Sequence, residues 1–439
     1  MMQKIGPLLA ERIHYHTLAT TITFHAKVSG KYNHMAMLSA VEYLPEIHPM
    51  LNINVVEKDD GSIYYVHNTK HCPTIKLYSE DTNELIRSEC KRSFLLSEEC
   101  LLRLFINECG DHFSVVVVAH HMLGDARSIL ILLSDLLTLY GGGSVEAVNE
   151  PFLLSEAAEL SEAAKLTTKQ KFYVDYINAK WNKEKRLFSE TEFNEVHTKF
   201  YKSRDVRFIN FGFGKADTER IHSQCMKHKV RMTSLLSACL LRSVNETLSD
   251  YFGNDIQVNI PVSLKQEFDS IPQRCIGNYC SIIGIKDTYK EVKDFWEATE
   301  LFNTKMMNKL NDSTEKYLAL NMMLAIDGTL QDAIKFSVFG DFNSLIAKQT
   351  AELLNFGREN YNFDISNVGK TSINKNVGES ELIDILYIPP IEASHMFSLG
   401  AIGFDNRLNL CLVYDASFIP ESKMSDFVGR IKEILSFQL

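Results

Sequence analysis

A valine-rich, β-branched run stands out in the chain: Phe113-Ser-Val-Val-Val-Val-Ala119. It leads directly into His120-His121-Met-Leu-Gly-Asp125-Ala-Arg-Ser128 and then Ile129-Leu-Ile-Leu-Leu-Ser-Asp-Leu-Leu-Thr-Leu-Tyr140. An unbroken β-branched run predicts a strand covered on both faces. The leucine-rich run, with polar breaks at Ser134, Asp135 and Thr138, predicts a largely buried helix. The turn between them holds two adjacent histidines and an aspartate at the carboxyl end of a strand, where α/β proteins keep their sites.

Elsewhere the pattern alternates between strand and helix signals. Thr17 to Val28 is rich in β-branched residues and predicts a strand. Met35, Leu38, Val41 and Leu44 share one helical face, and His48-Pro49 ends that helix. Residues 52–57 and 62–67 flank Asp59-Asp60-Gly61 as a hairpin. Residues 101–107 and 113–119 form a second hairpin around Cys109-Gly-Asp-His112, so the first third reads as one mixed sheet with helices packed on it. Gly141-Gly142-Gly143 stops the leucine-rich helix. From Ser144 to about Arg186, Leu160, Ala163, Ala164, Phe172 and Tyr176 suggest amphipathic helices forming a connection, not a flexible linker. The second half predicts strands at 206–213, 255–262, 282–285, 363–366, 381–387, 395–402 and 407–414. Helices are expected at 217–228, 233–248 (opened by Thr233 as N-cap), 292–310 and 422–437.

A chain of 439 residues exceeds one ordinary core and suggests two domains. Its formal net charge of −10 argues against nucleic acid as a partner. A local basic patch of Lys202, Arg204 and Arg207 reads equally well as an anion contact or a solvated edge strand. The nine cysteines, Cys72, Cys90, Cys100, Cys109, Cys225, Cys239, Cys275, Cys280 and Cys411, show no zinc or redox spacing and read as reduced thiols. The N-terminal residues lack a signal-peptide pattern and no apolar run reaches membrane-span length, so the expected location is cytoplasmic, with no integral membrane segment.

A histidine fixed at a strand end can take a proton at neutral pH and act as a general base. Asp125 can fix its tautomer or shape the turn. The structural alternative is that both histidines simply end the strand while Asp125 caps the helix at 126–140. No Gly-x-Ser-x-Gly motif is present, which favours direct transfer over a covalent intermediate. Neighbouring strand residues face opposite ways, so only one of His120 and His121 can face a cleft. No third ligand has metal spacing, and no metal is expected.

His120-His121-Met-Leu-Gly-Asp125 between its valine strand and leucine helix resembles the His-His-x-x-x-Asp motif of the condensation-domain and CoA-dependent acyltransferase superfamily. That superfamily includes chloramphenicol acetyltransferase, alcohol acetyltransferases, wax ester synthases and nonribosomal condensation domains. Three further stretches fall in the family's order: Leu38 to Leu51 with His48-Pro49, Val258-Asn-Ile-Pro-Val-Ser-Leu-Lys265 followed by Gly277-Asn278, and Ile365-Ser-Asn-Val-Gly369, which is similar to alcohol acetyltransferase-like members. The resemblance implies an α/β (α+β) fold of two chloramphenicol acetyltransferase-like lobes, each a mixed sheet with flanking helices, and a site in a channel between them. Residues 1–145 would form the first lobe, 146–200 a helical connection, and 201–439 the second lobe.

The same resemblance implies roles. His121 would be the base that deprotonates an acceptor hydroxyl or amine as it attacks a thioester. His120 would support it, and Asp125 would order the site by pairing with an arginine. Lys265 stands at that arginine's position and offers charge without a bidentate fork. Ala126 replaces the usual glycine, which matters if the turn needs positive φ and is harmless if the helix begins there. Ser366 and Asn367 would line the channel from the second lobe as oxyanion donors or strand caps. The expected function is transfer of an acyl group from acyl-CoA to an alcohol or amine, with no bound cofactor. The alternatives are a free-standing condensation domain taking acyl-phosphopantetheine from a carrier protein, and a non-catalytic binding protein of the same fold.

Overall fold

The computed structural model describes residues 4–68, 73–148, 152–154, 165–253, 256–286, 289–354, 356, 362–390 and 395–437. Cys72, Asp255 and the positions Leu160, Ala163 and Ala164 lie outside these residues. The strands, in chain order, are β1 (Lys4–Ile5), β2 (Thr21–Ser29), β3 (Ile53–Glu57), β4 (Ile63–His67), β5 (Ile75–Leu77), β6 (Leu102–Glu108), β7 (His112–His120), β8 (Val206–Phe213), β9 (Gln257–Ser263), β10 (Cys280–Lys286), β11 (Asn362–Lys370), β12 (Asn376–Val377), β13 (Ser380–Ile388), β14 (Phe397–Phe404) and β15 (Arg407–Asp415). Among the described residues they form two six-stranded sheets, ordered β12-β13-β2-β7-β6-β5 and β10-β9-β11-β14-β15-β8, and a small sheet β1-β4-β3. Both large sheets are mixed: β5–β6, β11–β14 and β11–β9 are parallel, and the other pairs are antiparallel.

The valine run lies at the centre of the first sheet, with β7 between β2 and β6 and Val115 to Val118 at most 1% exposed. That central position explains its lack of alternation. Three helices flank this sheet: α1 (His34–Ile47), α2 (Thr82–Cys90) and α3 (Ala126–Tyr140). The leucines of α3 pack into the first-lobe core with Met37, Val41 and Leu44 of α1. A second core fills the other sheet, between its strands and the helices Met232–Thr247, Phe295–Asn311 and Glu421–Phe437.

Several expectations need correction. The hairpin β3–β4 belongs to the small sheet rather than the first large one; β3 is tied instead to the loop at Leu96. The strand expected from Thr17 starts at Thr21, because Glu11–His14 wind into a 3-10 turn and the chain enters the sheet only afterwards. Thr233 is not the N-cap of its helix; that position is Arg231, and Thr233 lies in the first turn. The expected boundary near residue 200 is crossed by β12 and β13, which join the first sheet beside β2.

The connecting helices Thr168–Trp181 and Glu190–Lys202 are packed structure: Val174, Ile177, Trp181 and Phe193 share a core with the helices Gly328–Phe339 and Leu345–Leu353. On β8, an edge strand, Arg207 pairs with Asp205 and Glu421, while nearby Arg204 pairs with Asp415. The basic patch is therefore internally neutralised apart from exposed Lys202. No described helix is long and apolar enough to cross a membrane.

Candidate active site

Strand β7 ends at His120, which sits opposite Thr21 in the register with β2. The His120 ring is buried, edge-on to Phe94, and its Nδ1 accepts the Met122 amide at 3.1 Å. Burial pushes its pKa down to about 3, so the ring is neutral with its proton on Nε2. With His16 and His197 it lines a cavity of about 20 Å³, room for one water. His120 thus supports the turn from within the fold.

His121 takes the other side. Its amide donates to the Thr20 carbonyl at 2.8 Å, and its side chain is only half-buried. The ring's Nδ1 lies 2.8 Å from Asn278 Oδ1, while Asn278 Nδ2 donates to the His121 carbonyl at 2.6 Å. Because the amide's donor end is committed to the carbonyl, its oxygen faces the ring, and Nδ1 must carry the hydrogen. Nε2 is left with a lone pair. Burial lowers the His121 pKa below the ordinary imidazole value, opposed by its own carbonyl, Asp125 and Asn278. His14 lies flat on the ring, centroids 3.8 Å apart.

Asp125 serves two ends of one junction. One carboxylate oxygen caps α3 by accepting the Ser128 amide at 2.9 Å. The other accepts the Tyr279 amide at 3.2 Å and the Cys280 thiol at 3.4 Å. Around it, the Gly277 carbonyl accepts from the Asp125 amide (3.1 Å) and the Ser128 hydroxyl (2.9 Å), and the Gly277 amide returns a bond to Ser128 Oγ. The second-lobe segment 277–280 is therefore laced onto the histidine turn. Ala126 opens α3 and has no positive φ, so alanine is unstrained there.

The expected partner of Asp125 is engaged elsewhere. Lys265 is buried, donates to the Cys275 carbonyl and lies over the Tyr279 ring. Its charge reaches Asp125 only through space, raising the lysine's own pKa against the larger lowering by burial. An arginine does arrive from the second half, but further along the helix: Arg274 pairs with Asp135 at 2.7 Å, where His48 also bonds.

Ser366 is taken up by Tyr387, with the two hydroxyl oxygens 2.9 Å apart. Asn367 turns away: its amide donates to Thr233 and its oxygen accepts from Gly369 across a β-bulge. Sequence reasoning gives no role to Asn278 or His14. Asn278 could be found through the Gly277-Asn278 pair; His14 lies in an unremarkable stretch.

A family model described as Condensation domain matches residues 2–374. No curated protein matches the sequence significantly. Among similar solved structures, polyketide synthase associated protein 5 from Mycobacterium tuberculosis is 12% identical, with 100% of each chain covered and a TM-score of 0.66. The first condensation domain of the calcium-dependent antibiotic synthetase, in complex with a substrate analogue, is 11% identical, covering 99% of this chain and 97% of that one at 0.66. The TRI3 trichothecene 15-O-acetyltransferase from Fusarium sporotrichioides is 10% identical, covering 99% and 94%, also at 0.66. At such identities the likeness is one of fold, and it extends over the whole two-lobed unit.

Proposed function

The chain belongs to the condensation-domain family, and from that premise we propose that it is an acyltransferase moving an acyl group from acyl-CoA to a hydroxyl or amine acceptor. His121 is the general base. Its Nε2 takes the acceptor's proton as the acceptor oxygen or nitrogen attacks the thioester carbonyl. The tetrahedral intermediate then expels the thiolate, which recovers that proton from His121 and leaves as free thiol. No covalent enzyme intermediate forms, and no bound cofactor is required, since the thioester carries the activation.

One observation carries this reading. Asn278 bonds both the ring and the carbonyl of His121, so the nitrogen that is free to accept a proton is Nε2. Burial lowers the ring's pKa, which keeps that nitrogen unprotonated at neutral pH. Asp125 acts as the clasp between the lobes, and His120 and Lys265 support the turn and the loop that face each other across it. A positioned base supplies about 10²–10⁴-fold of rate, and holding donor beside acceptor supplies the rest.

The test is free-thiol release from acetyl-CoA and longer acyl-CoAs with a panel of alcohols and amines. Acceptor-dependent release that disappears in His121→Ala supports the reading. Turnover only with an acyl-loaded carrier protein would replace the donor, and ligand binding indifferent to His121→Ala, without turnover, would overturn catalysis altogether.

A further inference from the structure

His14 and His121 lie face to face, their rings 3.8 Å apart and 7° from parallel. His14 ends the 3-10 turn Glu11–His14, and that turn is firmly anchored. The buried guanidinium of Arg12 bonds to Asp332 of helix Gly328–Phe339, to Glu57 of β3 at 2.8 Å and to the Gly61 carbonyl at 2.7 Å. A ring carried on such an anchor cannot drift easily.

The two partners of His121 restrain different motions. The Asn278 bond lies in the plane of the imidazole and fixes its edge, but an in-plane bond resists tilting poorly. A flat ring against the face resists tilting and does little against rotation within the plane. We propose that His14 is a positioning residue of the acyl-transfer site, its ring fixing the plane of His121 so that Nε2 keeps its line to the acceptor's proton. This inference rests on the acyl-transfer reading above.

A second role, as an alternative base, does not fit. Burial above all disfavours a positive charge on His14, and of the groups facing it, His121, His120 and Lys335, the lysine charge adds to that, as His121 would once protonated. Burial disfavours the charge on His121 as well, but there its own carbonyl, Asp125 and Asn278 oppose that loss. The proton taken during the reaction therefore rests on His121, with His14 neutral beside it.

The experiment compares the full chain with His14→Ala and His14→Phe, which keeps a flat ring but no nitrogen. Thiol release is followed against pH and acceptor concentration, and the His121 ring is titrated by nitrogen-detected NMR. His14→Ala is expected to lower kcat by about 10-fold or more with little change in acceptor KM, and to let the His121 pKa rise as water reaches its face. His14→Phe is expected to recover most of the lost rate and leave that pKa low. Wild-type kcat in His14→Ala, or a His14→Phe rate as low as that of His14→Ala, overturns the proposal. Should the wild-type chain release no thiol from any donor, the acyl-transfer reading fails by itself. The ring titration still decides the stack: a His121 pKa unmoved in His14→Ala overturns it, and a rise confined to that variant upholds it.

Discussion

Asn278 grips His121 at both ends, its oxygen 2.8 Å from the ring's Nδ1 and its amide nitrogen 2.6 Å from the backbone carbonyl. These two bonds join the lobes and select the tautomer together. Asn278→Ala is expected to cut kcat by roughly 10²-fold, because the ring then samples the wrong tautomer and orientation. Asn278→Asp makes a sharper test. Its carboxylate favours imidazolium, so the acid limb of the rate profile should move to higher pH, a shift read directly from thiol release between about pH 5 and 8.

His121 and Asp125 should separate rate from stability. His121→Ala removes the proposed base from a half-buried position, so activity should fall by about 10²–10⁴-fold with little change in the urea midpoint. Asp125→Asn presents an amide donor to the Tyr279 amide and the Cys280 thiol, leaving a buried donor unpaired. That should cost about 1–3 kcal/mol of stability by urea titration. If Asp125→Asn left stability unchanged, its role as the clasp between the lobes would be wrong.

Acid should weaken the fold before the carboxylates are protonated. Burial holds His120 near 3, and His25 and His197 near 4, against an ordinary 6.5. Between those values the unfolded chain binds protons that the folded chain refuses. Each histidine's contribution is therefore complete above about pH 6.5 and is lost at about 1.4 kcal/mol per pH unit as pH falls towards its folded pKa. Urea midpoints measured at intervals from about pH 7 down to about pH 4 should decline steadily. The rate should follow the same sign: with the His121 pKa lowered, activity stays flat through neutrality and falls only on the acid side.

The valine strand, the histidine turn and the leucine helix are legible because a central strand and a buried helix write continuous apolar runs. Helix Gly328–Phe339 leaves no such trace. Gln331, Asp332 and Lys335 are buried with its apolar residues, and Asp332 is answered by Arg12, 320 positions away, so no amphipathic period survives. Asn278 is visible in the sequence only as part of the Gly277-Asn278 pair; its contact with His121, 157 residues away, is not. The motif pattern pairs Lys265 with Asp125 by position, whereas backbone amides satisfy that carboxylate and leave the lysine to the Cys275 carbonyl. The crossover of β13 into the first sheet is written in pairing partners, which alternation along one strand does not specify.

Gly124 offers the most local test of the junction. A Cβ there would lie 2.8 Å from Ser128 Cβ and 3.2 Å from both the Gly277 amide nitrogen and carbonyl oxygen. Neither neighbour is a flexible side-chain end, so Gly124→Ala must displace Ser128, the segment 277–280 bonded to it, or both. Asn278 rides on that segment, and a displacement of a few tenths of an ångström would lengthen its bonds to His121. We expect Gly124→Ala to lower kcat by about 10-fold or more, with a fall in melting temperature. Gly429 is the matched control: it sits exposed in helix Glu421–Phe437, and a Cβ added there would meet nothing within 4 Å. Gly429→Ala should leave kcat unaltered and stabilise the fold by up to about 1 kcal/mol through helix propensity. Equal activity in the two variants would mean that the close approach of Gly124 to Gly277 does not hold the base in place.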